Sequence, residues 1–535
     1  MRVSFIYLTN NPNGDEHLGT ASIAAYLEAN NIPVKLQIIT FNPENYNLED
    51  IYKQLPANTD LIGFPLFNIN AQLIYEIANE LKKEFPDILI SVGGPLATDA
   101  RQIILDACEA IDFVVLGDGE EPYLEVVNTL SQGNSLQNIK SILTRYDENP
   151  QEKIINITDV NQLPWVSRQY LEQMMERGYG TARIYAARGC CANCSFCSHN
   201  NYTKSRGKRW RGRDITDVFQ EIIHIHKTYG IVSFTFNDGS FEDPGKAGKE
   251  RIRTFCNLVL EYPHKLHFWC FLRADTFKKK DLSLIKLMRE VGFTEVFIGI
   301  ESQNASDLKF YNKLANQKEN LLSLELFKQC GINVLFGFIM FNPVSTLQSL
   351  RENYNFLRKV KNWRPHAYMG NLAIYYNTTA HRECEKLGLL KEDYSYINSY
   401  SYRFSDSKVE RIWDFIESRL IPSVVITQYD FDMFYFNNYF CDFLALYPEE
   451  TRKYQSEYQH IMDEVADILA DYFYQIYINY DFIRAEQMLP KLEQDMRESM
   501  LKMNALKIKM LLKEPYKSYI GQFSTYAKKR KRLVE

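Results

Sequence analysis

Between residues 181 and 341, short apolar runs alternate with helix-period segments, and this alternation restricts the chain to parallel strands joined by helical crossovers. Strands are expected near Ala182–Ala187, Val232–Asn237, Leu266–Arg273, Glu295–Ile300 and Val334–Phe341. Helices such as Asp217–Lys227, Lys280–Glu290 and Leu321–Gln329 fall between them. In a β/α barrel, ligands meet the C-terminal strand ends. The polar groups there are Asn237-Asp238-Gly239, Arg273-Ala274-Asp275, Glu301-Ser302-Gln303 and Asn342-Pro343. Taken singly, each reads as a turn or a helix cap.

The first strand of this series runs into Arg188-Gly189-Cys190-Cys191-Ala192-Asn193-Cys194-Ser195-Phe196-Cys197, where Cys190, Cys194 and Cys197 have a Cys-x3-Cys-x2-Cys spacing. Three thiolates on one short loop suit three irons of a four-iron, four-sulfur (4Fe-4S) cluster and leave the fourth iron open. Zinc is the alternative. No second Cys-x2-Cys pair follows at a suitable distance, yet His199 is near enough to be a fourth ligand. Cys191, Cys194 and Cys197 also read as Cys-x2-Cys-x2-Cys. Ligand count and spacing favour iron and sulfur. The other six of the ten cysteines are scattered singly among apolar residues, as buried thiols and not a disulfide framework.

Residues 1–145 have a different pattern. Arg2–Leu8, Val34–Thr40, Asp60–Phe67, Ile88–Val92 and Phe113–Leu116 are short apolar runs, separated by helical segments such as Leu18–Asn30. This is a doubly wound, Rossmann-like parallel sheet of about five strands, which binds ligands at its C-terminal edge. Gly93-Gly94-Pro95 and Gly117-Asp118-Gly119-Glu120 fall at that edge, where missing side chains let a large ligand approach the backbone. The first strand ends in Leu8-Thr9-Asn10-Asn11 without a Gly-x-Gly-x-x-Gly turn, which argues against a dinucleotide.

Together these features resemble the radical S-adenosylmethionine (SAM) enzymes, in the branch whose barrel follows a cobalamin-binding domain. The resemblance implies that Cys190, Cys194 and Cys197 hold the cluster and that SAM chelates its open iron and is cleaved to a 5'-deoxyadenosyl radical. It implies SAM contacts at Phe196, Asn237, Asp238, Arg273, Glu301, Ser302 and Phe338, although the family often has two acids where this chain has Asn237-Asp238. The cobalamin contacts it implies are Thr9, Asn10, His17, Leu18, Gly19, Phe64, Pro65, Leu66, Gly93, Gly94, Pro95, Gly117, Asp118, Gly119 and Glu120. Asp15-Glu16-His17-Leu18-Gly19 resembles the Asp-x-His-x-x-Gly motif whose histidine ligates cobalt from below, but its glycine comes one residue early. Cobalt without a histidine beneath it is therefore the expectation. The related methylthiotransferases carry three cluster cysteines in the N-terminal domain, where this chain has only Cys108.

From about Asp393 the sequence turns rich in tyrosine and phenylalanine, as in Phe431–Phe443, and then helical, with Ile461, Val465, Ile468, Leu469 and Tyr472 on one stripe. An aromatic stripe at this spacing reads as core. The chain divides into a cobalamin-binding domain (1–145), a linker (146–180), a partial β/α barrel (181–390) and a helical domain (391–535) expected to cap the barrel mouth and select the substrate. At roughly 100 to 200 residues per domain, 535 residues suit three cores. A net charge of −5 argues against nucleic acid, and the basic tail Lys528–Arg532 reads as a solvated end. The basic stretch Lys204–Arg213 reads as an ordering or redox-partner element. No run of 18 apolar residues occurs and the N-terminus opens on a strand, so neither a membrane span nor a signal peptide is expected. Reduced thiols point to the cytoplasm.

The expected activity is methyl transfer to an unactivated carbon, or phosphorus, of a natural-product or peptide substrate, with a flavodoxin or ferredoxin-type electron donor. The same cofactors would equally serve a radical cyclisation or rearrangement, and a cofactor-binding sensor without turnover is the reading from another class.

Overall fold

The computed structural model describes residues 1–11, 14–56, 58–137, 139–147, 154, 157–199 and 209–518. The tail Lys528–Arg532 and the first half of the Lys204–Arg213 stretch lie outside the described residues.

The N-terminal sheet has six strands: β1 (Val3–Thr9), β2 (Val34–Thr40), β3 (Leu61–Pro65), β4 (Leu89–Gly93), β5 (Phe113–Val115) and β6 (Ile142–Thr144). Their order is β2-β1-β3-β4-β5-β6, and all neighbours are parallel except β5 and β6. The antiparallel β6 was not expected, since three residues are too few to display a period. β2 and β3 lie on opposite sides of β1, so the strand order reverses there and a crevice opens at the C-terminal strand ends. Gly94 (φ +102°) and Gly117 (φ +74°) turn the chain at that edge in a conformation that residues with side chains rarely adopt.

Among the described residues eight further strands follow: β7 (Thr181–Ile184), β8 (Ala187–Gly189), β9 (Trp210–Gly212), β10 (Ser233–Phe236), β11 (His267–Trp269), β12 (Phe271–Arg273), β13 (Glu295–Glu301) and β14 (Asn333–Phe338). They pair as β11-β10-β7, β12-β13-β14 and the antiparallel β8-β9. β11 and β12 are one run interrupted at the buried Cys270, so five strand positions form an open parallel arc. This is the expected partial barrel.

One expected strand is divided. Ala182–Ala187 parts at Tyr185-Ala186 because the Asp238 carboxylate accepts hydrogen bonds from the Ala186 and Ala187 amides at 2.7 and 3.1 Å. Those amides are lost to the parallel ladder, and β8 pairs with β9 instead. Gly189 (φ +91°) ends β8, where an added Cβ would stand 1.8 Å from the Arg209 carbonyl oxygen.

The C-terminal helices Val424–Leu446, Pro448–Tyr474 and Phe482–Leu511 form the expected helical unit, but it does not cap the barrel mouth. Val424–Leu446 covers the opposite end, where the strands begin. Ser233 donates to Asp442, Thr294 to the Cys441 carbonyl at 2.8 Å and Asn333 to Asn437 at 2.8 Å, while buried Glu295 accepts from Asn437 and Trp269. Four polar strand starts need hydrogen-bond partners, and this helix supplies them. The mouth is covered by an earlier segment, Asn371–Tyr402, which crosses the expected boundary at residue 390. It meets the cysteine loop where the Ala380 amide donates to the Ser195 carbonyl. It meets the N-terminal sheet where Asn68 donates to the Tyr396 carbonyl and Tyr75 pairs with the Tyr396 hydroxyl.

Burial pushes the Asp238 carboxyl up to about 7, although Arg251 opposes the shift. A folded-state pKa above the unfolded one, ordinarily near 4, means the group favours folding below about pH 4 and that this contribution is lost as pH rises through about 7. Asp238→Asn keeps the acceptor oxygen and removes the titration. Thermal unfolding across pH is therefore expected to show the wild type losing stability relative to Asp238→Asn between about pH 4 and 7, by on the order of 3–4 kcal/mol at most. Parallel curves would contradict this account.

Candidate functional site

The cysteine loop is short and mostly irregular, so its shape comes from what holds it. The Ser195 amide donates to the Tyr311 carbonyl at 2.8 Å, its hydroxyl to the Phe310 carbonyl at 2.6 Å, and Asn312 donates to the Asn193 carbonyl at 2.7 Å. On the other flank the Cys191 amide donates to Asp243 at 2.7 Å, and Asp243 is in turn paired with Arg273. Phe196 sets its ring edge-on to Tyr311 at 5.5 Å. The loop is thus clamped from the segment after β10, which β12 braces through Arg273, and from the end of the helix Ala305–Phe310 that follows β13.

None of the ten cysteines forms a disulfide. Burial pushes the Cys190 thiol up to about 12, with Asp243 adding to the effect, and burial also raises Cys194. Burial raises Cys256 and Cys384 in the same way, so the shift is a packing effect and does not single out the loop. Among the described residues no three ligating side chains stand together as a ready-made metal site. The fit rests on the donor set: four soft thiols on one clamped loop, Cys191 besides the three in Cys-x3-Cys-x2-Cys spacing, and no carboxylate or imidazole within its span from Cys190 to Cys197.

Of the residues expected at SAM, Asn237, Arg273 and Glu301 lie at the C-terminal end of the arc. Asn237 is exposed and opens into the cleft. Glu301 sits at a β-bulge with φ +66°, and its carboxylate overhangs Gly299 and Gly337, where an added Cβ would lie 2.8 and 2.9 Å from its oxygens. The two glycines thus make room for the Glu301 carboxylate itself, which is held over the strand ends.

Three other positions point elsewhere. Asp238 serves the Ala186 and Ala187 amides. The buried Ser302 hydroxyl lies 2.9 Å from Asp307 and from Asn353, in a polar network behind the strand. The Phe338 ring stacks on Phe356 at 5.6 Å, in the helix layer. Successive strand residues face opposite sides, so an inward Gly337 requires an outward Phe338.

Between the N-terminal sheet edge and the barrel mouth lies a cleft of about 1110 Å³, counting its open side. Leu18, Gly19, Phe64, Pro65 and the turns Gly93–Pro95 and Gly117–Glu120 line it from the sheet, and Arg188, Gly189, Asn237 and Gly239 from the barrel. Thr9, Asn10 and Leu66 are outside this lining. Thr9 accepts from the Asn11 amide, Asn10 faces solvent and Leu66 is core. A floor of glycine backbone suits a bulky planar ligand of cobalamin's kind.

The carboxylates of Asp118 and Glu120 have a different duty. Asp118 pairs with Arg188 at 3.1 Å and with Arg211, and Glu120 pairs with Arg188 at 2.5 Å and accepts from Ser22 at 2.6 Å. Burial opposes ionisation of Asp118, but the two guanidiniums hold its carboxyl below the ordinary range. These pairs tie the sheet edge to β8, immediately before the cysteine loop, and to β9, which follows it in the chain.

His17 is the N-cap of helix Leu18–Ala29. Its Nδ1 accepts the Thr20 amide at 3.1 Å, and its ring packs between Tyr7 and Phe67. Burial lowers its pKa to about 4, so the ring is neutral. A neutral imidazole that accepts at Nδ1 carries its proton on Nε2 and offers no lone pair to cobalt.

Fold and cysteine loop together define a radical SAM protein. Residues 8–127 match the B12 binding domain and residues 184–357 the Radical SAM superfamily. The chain is 26% identical over 350 residues to an uncharacterized methyltransferase of Pyrococcus horikoshii, covering 64% of this chain and 73% of that protein. It is 23% identical to 4'-phospho-dehydrooxetanocin synthase of Priestia megaterium, over 67% of this chain and 50% of that one. Its backbone follows the cobalamin-dependent SAM radical enzyme OxsB, solved with aqua-cobalamin and SAM bound, with a TM-score of 0.69 at 18% identity over 99% of this chain and 83% of that one. The radical SAM methyltransferase TsrM of Kitasatospora setae shares the fold at a TM-score of 0.55 and 16% identity, over 67% of this chain and 73% of that one. The chain belongs to the radical SAM enzymes that carry a cobalamin-binding domain, and a 4Fe-4S cluster, SAM and cobalamin are its cofactors. Among the described residues no helix is long and apolar enough to cross a membrane.

The sequence reading missed Asp243, Glu242 and Arg211. Glu242 accepts from the Arg273 amide at 2.8 Å and from Thr276 at 2.9 Å. An acid pair directly after Phe241, facing Arg273 across two strand ends, was the available signal.

Arg188→Met is expected to leave Glu120 buried without its cation and to cost about 3–5 kcal/mol. Chemical unfolding checks the cost, and equilibrium dialysis of cobalamin should show weaker binding. His17→Asn retains a good N-cap and should change stability by less than about 1 kcal/mol. The paramagnetic resonance spectrum of bound cob(II)alamin should be the same in this variant, without coupling to a histidine nitrogen.

Proposed function

We propose that this protein transfers a methyl group to an unactivated carbon, or to phosphorus, of a small natural-product or peptide substrate. When bound, the cluster and SAM supply a radical able to abstract hydrogen, and cobalamin supplies the methyl group. The observation that carries the reading is a single cleft lined from both domains, with the glycine turns of the sheet facing Gly189, Asn237 and Gly239 beside the cysteine loop.

The residues of this chain orient and shield. Cys190, Cys194 and Cys197 hold the cluster; Asn237, Arg273 and Glu301 face the SAM side, and Gly19, Gly93, Gly94 and Gly117 form the cobalamin floor. Arg188 and Arg211 keep the two walls in register through Asp118 and Glu120. Asn371–Tyr402 closes the mouth on one side, so substrate selection belongs to this segment and not to the helices from Val424 onward. A flavodoxin or ferredoxin-type protein supplies the electron.

A second reading keeps the cofactors but replaces methyl transfer by cyclisation or rearrangement. It draws support from the likeness to the anaerobic magnesium-protoporphyrin IX monomethyl ester cyclase of Synechocystis, 27% identical over 47% of this chain and 50% of that protein. Product analysis of an anaerobic reaction decides. Methylated product together with S-adenosylhomocysteine is expected; 5'-deoxyadenosine with an altered but unmethylated product would favour the second reading, and neither nucleoside would refute both.

A further inference from the structure

We propose that the buried ammonium group of Lys313 tunes the cluster held through Cys194, stabilising its reduced form. The inference rests on assigning Cys190, Cys194 and Cys197 as the cluster ligands.

Lys313 is delivered by a helix end. Helix Ala305–Phe310 stops at Asn312, which takes φ +50°, and the Lys313 amide bonds back to the Leu308 carbonyl while the Asn312 amide bonds to Lys309. That pair of bonds is a Schellman motif, with asparagine in the left-handed position usually held by glycine. The same turn grips the cysteine loop on both sides of Cys194, through Asn312 to Asn193 and through Tyr311 and Phe310 to Ser195. Lys313 follows at once and turns inward. Its side chain is only 8% exposed, donates to the Gly299 carbonyl at 3.0 Å and lies 3.6 Å from a Glu301 oxygen. The Cys194 thiol and the Asp275 carboxylate are within its electrostatic reach.

A cluster with three thiolates gains one negative charge on reduction, so a nearby cation favours the reduced state. Exposed charges are screened by water and salt, whereas a buried one acts at low effective dielectric. Glu301 and Asp275 act in the opposite sense. Removal of Lys313 and removal of the Glu301 charge must therefore move the potential in opposite directions, which a merely structural lysine would not require.

The test is a reductive titration of anaerobically reconstituted holoprotein without SAM, followed by the resonance signal of the reduced cluster. Lys313→Met is expected to lower the midpoint by about 59 mV or more, which is a tenfold change for a one-electron couple. Lys313→Arg should return it toward wild type, and Glu301→Gln should raise it. Unchanged midpoints at unchanged iron content overturn the proposal, as does a shift of Lys313→Met and Glu301→Gln in the same direction. If Lys313→Met takes up no iron, Glu301→Gln decides alone: a raised midpoint supports the proposal and an unchanged one overturns it. Iron missing from the wild type itself refutes the ligand assignment instead.

Discussion

The molecule is organised around a small set of buried ion pairs. Arg188 reaches Asp118 and Glu120, and Arg211 reaches Asp118, so the C-terminal edge of the N-terminal sheet is fastened to β8 and β9. Each partner alone would be a buried charge without compensation, and such a pair is costly to break even where its net worth is modest. Its value here lies in register. Arg188 is two residues from Cys190, so the contact that fixes the sheet also fixes the start of the cluster loop relative to the glycine turns.

The cluster loop itself has little structure of its own, and its order is borrowed. Asp243, in the segment after β10 and paired with Arg273 of β12, holds one flank, and Phe310, Tyr311 and Asn312, at the end of the helix after β13, hold the other. A loop positioned by regular elements can place ligands accurately while leaving an open side for a substrate. The long C-terminal helices contribute from the far end, by satisfying Ser233, Thr294, Glu295 and Asn333 where the strands begin. Their aromatic richness is therefore a packing property, and the mouth belongs to Asn371–Tyr402.

Much of this was legible in the sequence because it depends on period and spacing. The five N-terminal strands and the barrel strands fall within a few residues of the apolar runs, and the cysteine spacing marked the loop as the candidate cluster site. Direction was not legible. Ser302 and Phe338 stand beside inward positions but face the helix layer, since neighbouring strand residues alternate, and a one-residue phase cannot be read from an apolar run. Asp238 looked like a ligand because it ends a strand, yet two unpaired amides at Ala186 and Ala187 claimed it. The strap over the mouth was also hidden, because its partners Asn68, Tyr75 and Ser195 are hundreds of residues away or on another domain.

The central claim is that one cleft brings cobalamin and the iron-sulfur cluster together. Its most direct test is the paramagnetic resonance spectrum of protein loaded with both cob(II)alamin and the reduced cluster. Two unpaired spins in a shared cleft broaden or split each other's signals, so the doubly loaded spectrum should differ from the sum of the two singly loaded ones. A spectrum equal to that sum would place the cofactors apart and contradict the account.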